Sequence, residues 1–250
     1  MQVCQVRDLC IGEGKPKVCL PIIGKNDQEI INEIQSFEGL QYDLVELRID
    51  FYQDIKDVKK VEQLLKKIRS MLQVPLLLTY RSLNEGGQIS LSDEEYKRLV
   101  EVSCTSGCVD LIDIELMSGH ALVYELVNMA HENQVFVVMS NHDFEKTPSL
   151  MDMKDRLEKM EILGADICKL AVMPQSYKDV ISLLDITIEM SNRLNRPIVT
   201  MAMGELGKIT RISGELTGSA ITFASARHSS APGQMNVIDM QMVLEAIHHD

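Results

Sequence analysis

The sequence predicts an α/β fold, a single (β/α)8 TIM barrel over residues 1–250 with an N-terminal β-hairpin closing its bottom. Three observations predict it. Eight apolar runs of strand length recur, at 18–23, 43–49, 75–81, 109–115, 135–142, 165–172, 197–203 and 219–224. Charged stretches of helical periodicity separate them, among them 57–71, 92–103, 150–163 and 177–194, and one more at 235–248 follows the last run. The length of 250 residues suits eight such units. A doubly wound open sheet shares this alternation, and periodicity alone does not tell closed from open. No Pro/Gly/Ser linker and no shift in composition marks a second domain.

In chain order, residues 1–15 read as a short strand, a polar turn at Arg7-Asp8, a second strand at Leu9–Ile11 and a glycine-rich exit. Strand–loop–helix units follow. Ser92 with Glu95 three residues on is a capping box and marks a helix start. Gly39, Gly107 and Gly164 stand where helices end. The Gly86-Gly87 pair permits a tight backbone path that swings Glu85 toward the barrel mouth. Arg211 falls in a short helix-like segment after the seventh strand. The segment from Ala226 to Met235, with its small residues, Pro232 and Gly233, reads as a mobile lid hinged near Arg227.

Composition narrows the function. Net charge is −12, which repels nucleic-acid backbones and anionic lipids, so neither nucleic acid nor a membrane is an expected partner. An anionic substrate would need a local cluster of arginines. No apolar run is long enough to span a bilayer, and the first residues lack a signal-peptide pattern. The six scattered cysteines read as reduced thiols of a cytoplasmic protein.

Alternation of side chains along a strand locates the chemistry. In the second run Val45, Leu47 and Ile49 share one face, and Glu46 and Arg48 the other. Thr79 pairs with Arg81 in the third, Asp113 with Glu115 in the fourth, and Ser140 with His142 in the fifth. Lys169 shares its face with Ile167 and Ala171 in the sixth. A lysine is almost never buried without a reason. Burial disfavours an ammonium, and a neutral amine beside a histidine can attack a carbonyl to form a Schiff base. The strand neighbours of Lys169 predict an apolar pocket. The alternative is that Lys169 reaches out to solvent or a carboxylate, and that Glu46–Arg48 or Arg81–Asp113 are interior ion pairs fixing register. One polar face across several consecutive strands, near their C-terminal ends, is where barrel enzymes place active sites.

Taken in order, ELRID (46–50), TYRS (79–82) with EGG after it, SNHDF (140–144), KLAVMP (169–174), the segment around Arg211 and SSAPGQ (229–234) resemble type I 3-dehydroquinate dehydratase over essentially the whole chain. The resemblance implies a (β/α)8 barrel, generally a homodimer, that converts 3-dehydroquinate to 3-dehydroshikimate and water without a metal or organic cofactor. It assigns Lys169 to the imine with the substrate ketone, His142 to general acid/base work, and Glu85 to positioning that histidine. It assigns Glu46, Arg48, Arg81, Arg211, Ser230 and Gln234 to substrate binding, with Arg211 on the substrate carboxylate. Pro21 departs from the small hydroxyl residue of some relatives, which puts a contact from the first strand in doubt. The competing readings are a class I aldolase using Lys169 for C–C cleavage, a metal-dependent isomerase with Glu46, Asp113, Glu115 and His142 as ligands, and a non-catalytic scaffold.

Overall fold

The computed structural model describes residues 3–226 and 230–248. An antiparallel hairpin, β1 (Cys4–Val6) and β2 (Leu9–Ile11), turns through Arg7 at φ 52. Eight parallel strands follow: β3 (Lys17–Ile22), β4 (Leu44–Arg48), β5 (Leu76–Thr79), β6 (Leu111–Glu115), β7 (Phe136–Asp143), β8 (Ile167–Val172), β9 (Ile198–Ala202) and β10 (Ile221–Phe223). Each pairs with the next from β3 to β9, and β10 pairs with β3. The last seam closes through a parallel bridge from Ile198 to Ser219, with the Ala220 N–H donating to the Ile198 carbonyl at 2.8 Å. First strand beside last, with sequential order between them, is a closed barrel and excludes the doubly wound sheet.

Helices α1 (Asp27–Gln35), α2 (Val58–Met71), α3 (Asp93–Thr105), α4 (His120–Glu132), α5 (Leu150–Ile162) and α6 (Tyr177–Arg193) fill the crossovers. The short α7 (Lys208–Ile212) and α8 (Gly214–Thr217) fill the seventh, and α9 (Val237–Ile247) follows β10. The Ser92 box forms as the sequence predicts, with reciprocal bonds of 3.3 and 2.8 Å to Glu95. Gly107 and Gly164 turn left-handed just past the caps of α3 and α5, while Gly39 does so three residues beyond the cap of α1. The α4 sequence carries no such start signal, because its N-cap is Gly119 with no side chain to accept a bond. None of the described helices is long and apolar enough to cross a membrane.

Alternation divides the apolar residues into two cores. Outward residues such as Val45, Leu47, Ile112, Ile114, Val137, Met139 and Leu170 pack beneath α2 to α6. Inward residues near the strand starts (Leu44, Leu77, Leu111, Val138 and Ile167 among them) pack against Cys4, Val6 and Ile11 of the hairpin. The hairpin therefore seals the N-terminal end. Burying each such aliphatic side chain contributes about 1.5–3 kcal/mol. The lower barrel is thus a packed plug, and the polar inward residues are left to the C-terminal half.

The predicted runs overshoot at their ends. Tyr80 and Arg81 lie beyond the β5 ladder, because the chain there already turns into the loop that carries Glu85. That early exit lets Arg81 reach across to β6 and β7.

Candidate active site

Lys169 sits mid-strand in β8, buried, with its side chain turned inward like Ile167 and Ala171. Its Nζ lies 3.5 Å from Asp113 Oδ2, 3.8 Å from Glu46 Oε1 and 4.4 Å from the centroid of the Phe223 ring. The surroundings therefore differ from the apolar pocket its own strand predicts. In a barrel the inward residues of the other strands decide what a side chain meets, and here they supply two carboxylates and an aromatic face.

Arg81 organises the acids around it. Its Nη1 donates to Glu115 Oε1 at 3.0 Å and to Ser140 Oγ at 2.8 Å, and its Nη2 donates to Asp113 Oδ2 at 2.8 Å. Ser140 passes its own hydroxyl on to Asp113 Oδ1 at 2.6 Å. Burial opposes the charge on Asp113, but Arg81, Lys169 and Ser140 outweigh it and hold the carboxyl below the usual range. Burial also opposes the charge on Arg81, and Asp113, Glu115 and Glu85 more than offset it, so the guanidinium stays protonated. The Arg81–Asp113 ion pair anticipated from the sequence is present. A Glu46–Arg48 pair is not. The chain bends into a 3-10 turn at Ile49–Phe51, which brings Asp50 under Arg48 for a bidentate pair at 2.8 and 2.9 Å. Glu46 instead accepts from the Thr79 hydroxyl at 2.8 Å.

His142, near the end of β7, is oriented by Glu85. Glu85 Oε2 accepts the backbone N–H of His142 at 2.9 Å and lies 2.9 Å from its Nδ1. The Gly86-Gly87 turn makes this possible. Gly86 is left-handed at φ 85, and a Cβ on Gly87 would stand 1.8 Å from the Arg81 carbonyl oxygen. Burial, joined by repulsion from Arg81, Lys169 and Arg48, holds the imidazole well below its ordinary value of 6.5. Burial and then Glu115 push the Glu85 carboxyl up to about 8. A neutral imidazole 2.9 Å from this carboxyl can act as a base through its other nitrogen once Glu85 is ionised and accepts from Nδ1–H.

Arg211, in α7, is buried, and no ion pair to it occurs among the described residues. Its Nη2 donates to the Pro232 carbonyl at 3.0 Å, and its Nε has no partner among the described residues. Burial alone lowers it to about 10, so it remains a cation at neutral pH. Pro232 also accepts from the Gly204 N–H at 3.2 Å, and Gly233, at φ 77, brings the chain so close to Gly204 that a Cβ would meet its oxygen at 2.3 Å. These contacts draw the loop after β10 over the barrel mouth. Ser230 and Gln234 engage each other there: the Ser230 N–H donates to Gln234 Oε1 at 2.8 Å and Gln234 Nε2 to Ser230 Oγ at 2.9 Å. Arg227, the expected hinge, and Ser229 lie outside the described residues.

All nine site residues expected from the sequence line one cavity of about 160 Å³, closed at the sides by Phe144, Met203 and Phe223. This is below the ~300–1,000 Å³ of sites for drug-sized ligands and suits a small polar metabolite. Pro21 is in register with Glu46, and neither it nor any other residue of β3 lines the cavity. The four groups of the metal-site reading do not form a ligand cluster among the described residues. Their carboxylates are divided between Arg81 and Lys169 instead. Sequence reasoning missed four supporting residues. Phe223 follows from the inward alternation of β10, and Asn141 from being a polar residue on the helix-facing side of β7 beside Val137 and Met139. Asp50 closes the ELRID motif but shows its partner only in the folded structure, and Arg156 carries no signal outside it.

The same segments are similar to known proteins. A family model described as Type I 3-dehydroquinase matches residues 18–250. A 3-dehydroquinate dehydratase of Listeria monocytogenes is 46% identical over 244 residues, covering 97% of each chain. One from Clostridioides difficile is 45% identical over 246 residues, covering 98% of this chain and 96% of the relative. Among solved structures, the type I 3-dehydroquinate dehydratase of Clostridium difficile with covalently modified comenic acid superposes with a TM-score of 0.95 at 44% identity, covering 99% of this chain and 98% of that one. The Geobacillus kaustophilus 3-dehydroquinate dehydratase gives 0.96 at 40% identity, covering 98% and 96%.

Proposed function

The chain belongs to the type I 3-dehydroquinase family and dehydrates 3-dehydroquinate to 3-dehydroshikimate in the shikimate pathway, and we propose that it does so through an imine on Lys169. The observation that carries this reading is the meeting, in one small cavity, of a buried amine, a histidine held by a carboxylate, and a buried arginine with no acidic partner among the described residues. The covalently modified comenic acid in the C. difficile relative supports a nucleophile in this kind of site.

Water loss from a β-hydroxy ketone is limited by the acidity of the carbon between the two groups. Lys169 adds to the ketone, water leaves, and the resulting iminium is a stronger electron sink than the carbonyl. His142 then removes the neighbouring C–H proton, leaving an enamine. Collapse of the enamine expels the β-hydroxyl, which His142 protonates as it leaves, and hydrolysis of the conjugated iminium frees the product and Lys169. General acid–base help of this kind is worth about 10²–10⁴-fold. Glu85 holds the Nδ1 side of His142, so the Nε2 side is the one free to meet substrate. Arg211 takes the substrate carboxylate, since two N–H groups of a guanidinium match a carboxylate's two oxygens. Arg48, fixed by Asp50, and Arg81, Glu46, Ser230 and Gln234 meet the ring hydroxyls and the ketone. No step in this scheme calls for a metal or an organic cofactor. A single catalytic domain over residues 1–250, a homodimer and a cytoplasmic location belong to the same reading and rest on the family resemblance.

His142→Ala is the test. It should lose turnover of 3-dehydroquinate, followed by enone absorbance, by about 10²–10⁴-fold, yet still yield a borohydride-stable adduct. Near-normal turnover would remove His142 from the mechanism.

A further inference from the structure

The Glu85–His142 pair is tied to a cation on the outer helix layer. Asn141, buried in β7, donates from Nδ2 to Glu85 Oε1 at 3.0 Å. Arg156 of α5 donates from Nη1 to Asn141 Oδ1 at 2.7 Å. A guanidinium has only donors, so it fixes which end of the amide faces it. The Asn141 oxygen must point to Arg156, and its NH₂ is thereby turned to Glu85. We infer that Arg156 and Asn141 are positioning residues for the dehydration, a polar relay that holds the Glu85 carboxylate and, through it, the basic form of His142. This rests on the assignment of His142 as the proton-transfer group.

The electrostatics around Glu85 show why a relay is needed. Glu115 and Asp113 of β6 face it and oppose its negative charge, while Arg81, 3.6 Å away, and the Asn141 amide favour it. His142 meets Glu85 from β7, and Arg81, Lys169 and Arg48 face His142. Asp143 Oδ2, 3.7 Å from Arg156 Nη1, holds that guanidinium from the same strand. With the amide N–H in place, Glu85 accepts at both oxygens and stays an acceptor for Nδ1–H, which leaves Nε2 as the base. Without it, Glu85 binds its proton more tightly, and a higher pH is needed before Glu85 is ionised and Nε2 of His142 can act as the base.

The experiment is the pH profile of kcat and KM for Asn141→Leu, Arg156→Met and Arg156→Lys. The acid limb of kcat should move up by about one pH unit in Asn141→Leu, the size that one hydrogen bond to an ionised group gives. It should move less, in the same direction, in Arg156→Met, and return toward wild type in Arg156→Lys. KM should stay within about twofold, since neither side chain lines the cavity. Arg156 is partly exposed on α5, so its variants report even if Asn141→Leu does not fold. An unmoved limb in Arg156→Met, or an equal shift in Arg156→Lys and Arg156→Met, overturns the relay. Borohydride trapping with 3-dehydroquinate in the same variants separates the two levels: an adduct at Lys169 with an unmoved limb defeats the relay alone. Full turnover in His142→Ala would defeat the reading beneath it.

Discussion

Replacing Arg211 with methionine should weaken catalysis without weakening the fold. The guanidinium is buried, and burial brings it down to about 10. For a base, a lowered value means that folding with the charge on is penalised at every pH below about 10, by roughly 3 kcal/mol at 1.36 kcal/mol per tenfold. Against this stand a bond from a charged donor to the Pro232 carbonyl, worth about 1.5–3 kcal/mol, and a long, weak one to Met201 Sδ at 4.0 Å. Methionine fills similar space and removes both effects. The ligand-free protein should therefore melt between its wild-type temperature and about 5 °C above it, at about 2–4 °C per kcal/mol for a chain of this size. Activity should fall steeply, because two charge-assisted bonds to the substrate carboxylate are lost. At about 1.5–3 kcal/mol each, kcat/KM drops by about 10²–10⁴-fold. Initial rates with 3-dehydroquinate and a thermal melt measure both. A melt lowered by more than about 5 °C with kcat/KM within tenfold of wild type would make Arg211 a structural residue and refute the argument.

His142 should make the fold acid-sensitive. Its value is depressed, so its contribution is present above about 6.5 and is lost as pH falls below that, where the unfolded chain takes up a proton the native site resists. Denaturant melts of wild type and His142→Gln should diverge in slope below pH 6.5, and parallel curves would contradict the buried, neutral imidazole. Gly87→Ala should displace the loop that carries Glu85, because the added Cβ meets the Arg81 carbonyl at 1.8 Å. We expect kcat to fall by about 10²-fold, as misplacement by an ångström does, with KM little changed; wild-type kcat would show that the loop's path does not position Glu85.

Much of this site was legible in the sequence because strand alternation is a hard constraint. Once eight runs were placed, Glu46, Arg48, Arg81, His142 and Lys169 had to share the barrel's interior, and they do. What alternation could not supply was the partner of each group. Partners come from adjacent strands and from turns, so Arg48 took Asp50 from its own 3-10 turn rather than Glu46 from its own strand face. The setting of Lys169 follows the same rule: its own strand predicts an apolar pocket, but β4 and β6 supply the carboxylates of the alternative reading. Arg156 was invisible because a partly exposed arginine on an amphipathic helix is the commonest thing such a helix carries. Glu85 and Arg211, by contrast, lie off the strands, on a 3-10 turn and in the short α7, and only the glycine pair and the family resemblance single them out.

The central claim is that the buried amine of β8 forms the covalent intermediate. Treating the enzyme with 3-dehydroquinate and borohydride, then mapping the modified peptide by mass spectrometry, tests it most directly. The account predicts loss of activity and one adduct, on Lys169, within the segment ICKLAV. Turnover that survives this treatment with no adduct, or an adduct on another lysine such as Lys208, would contradict it.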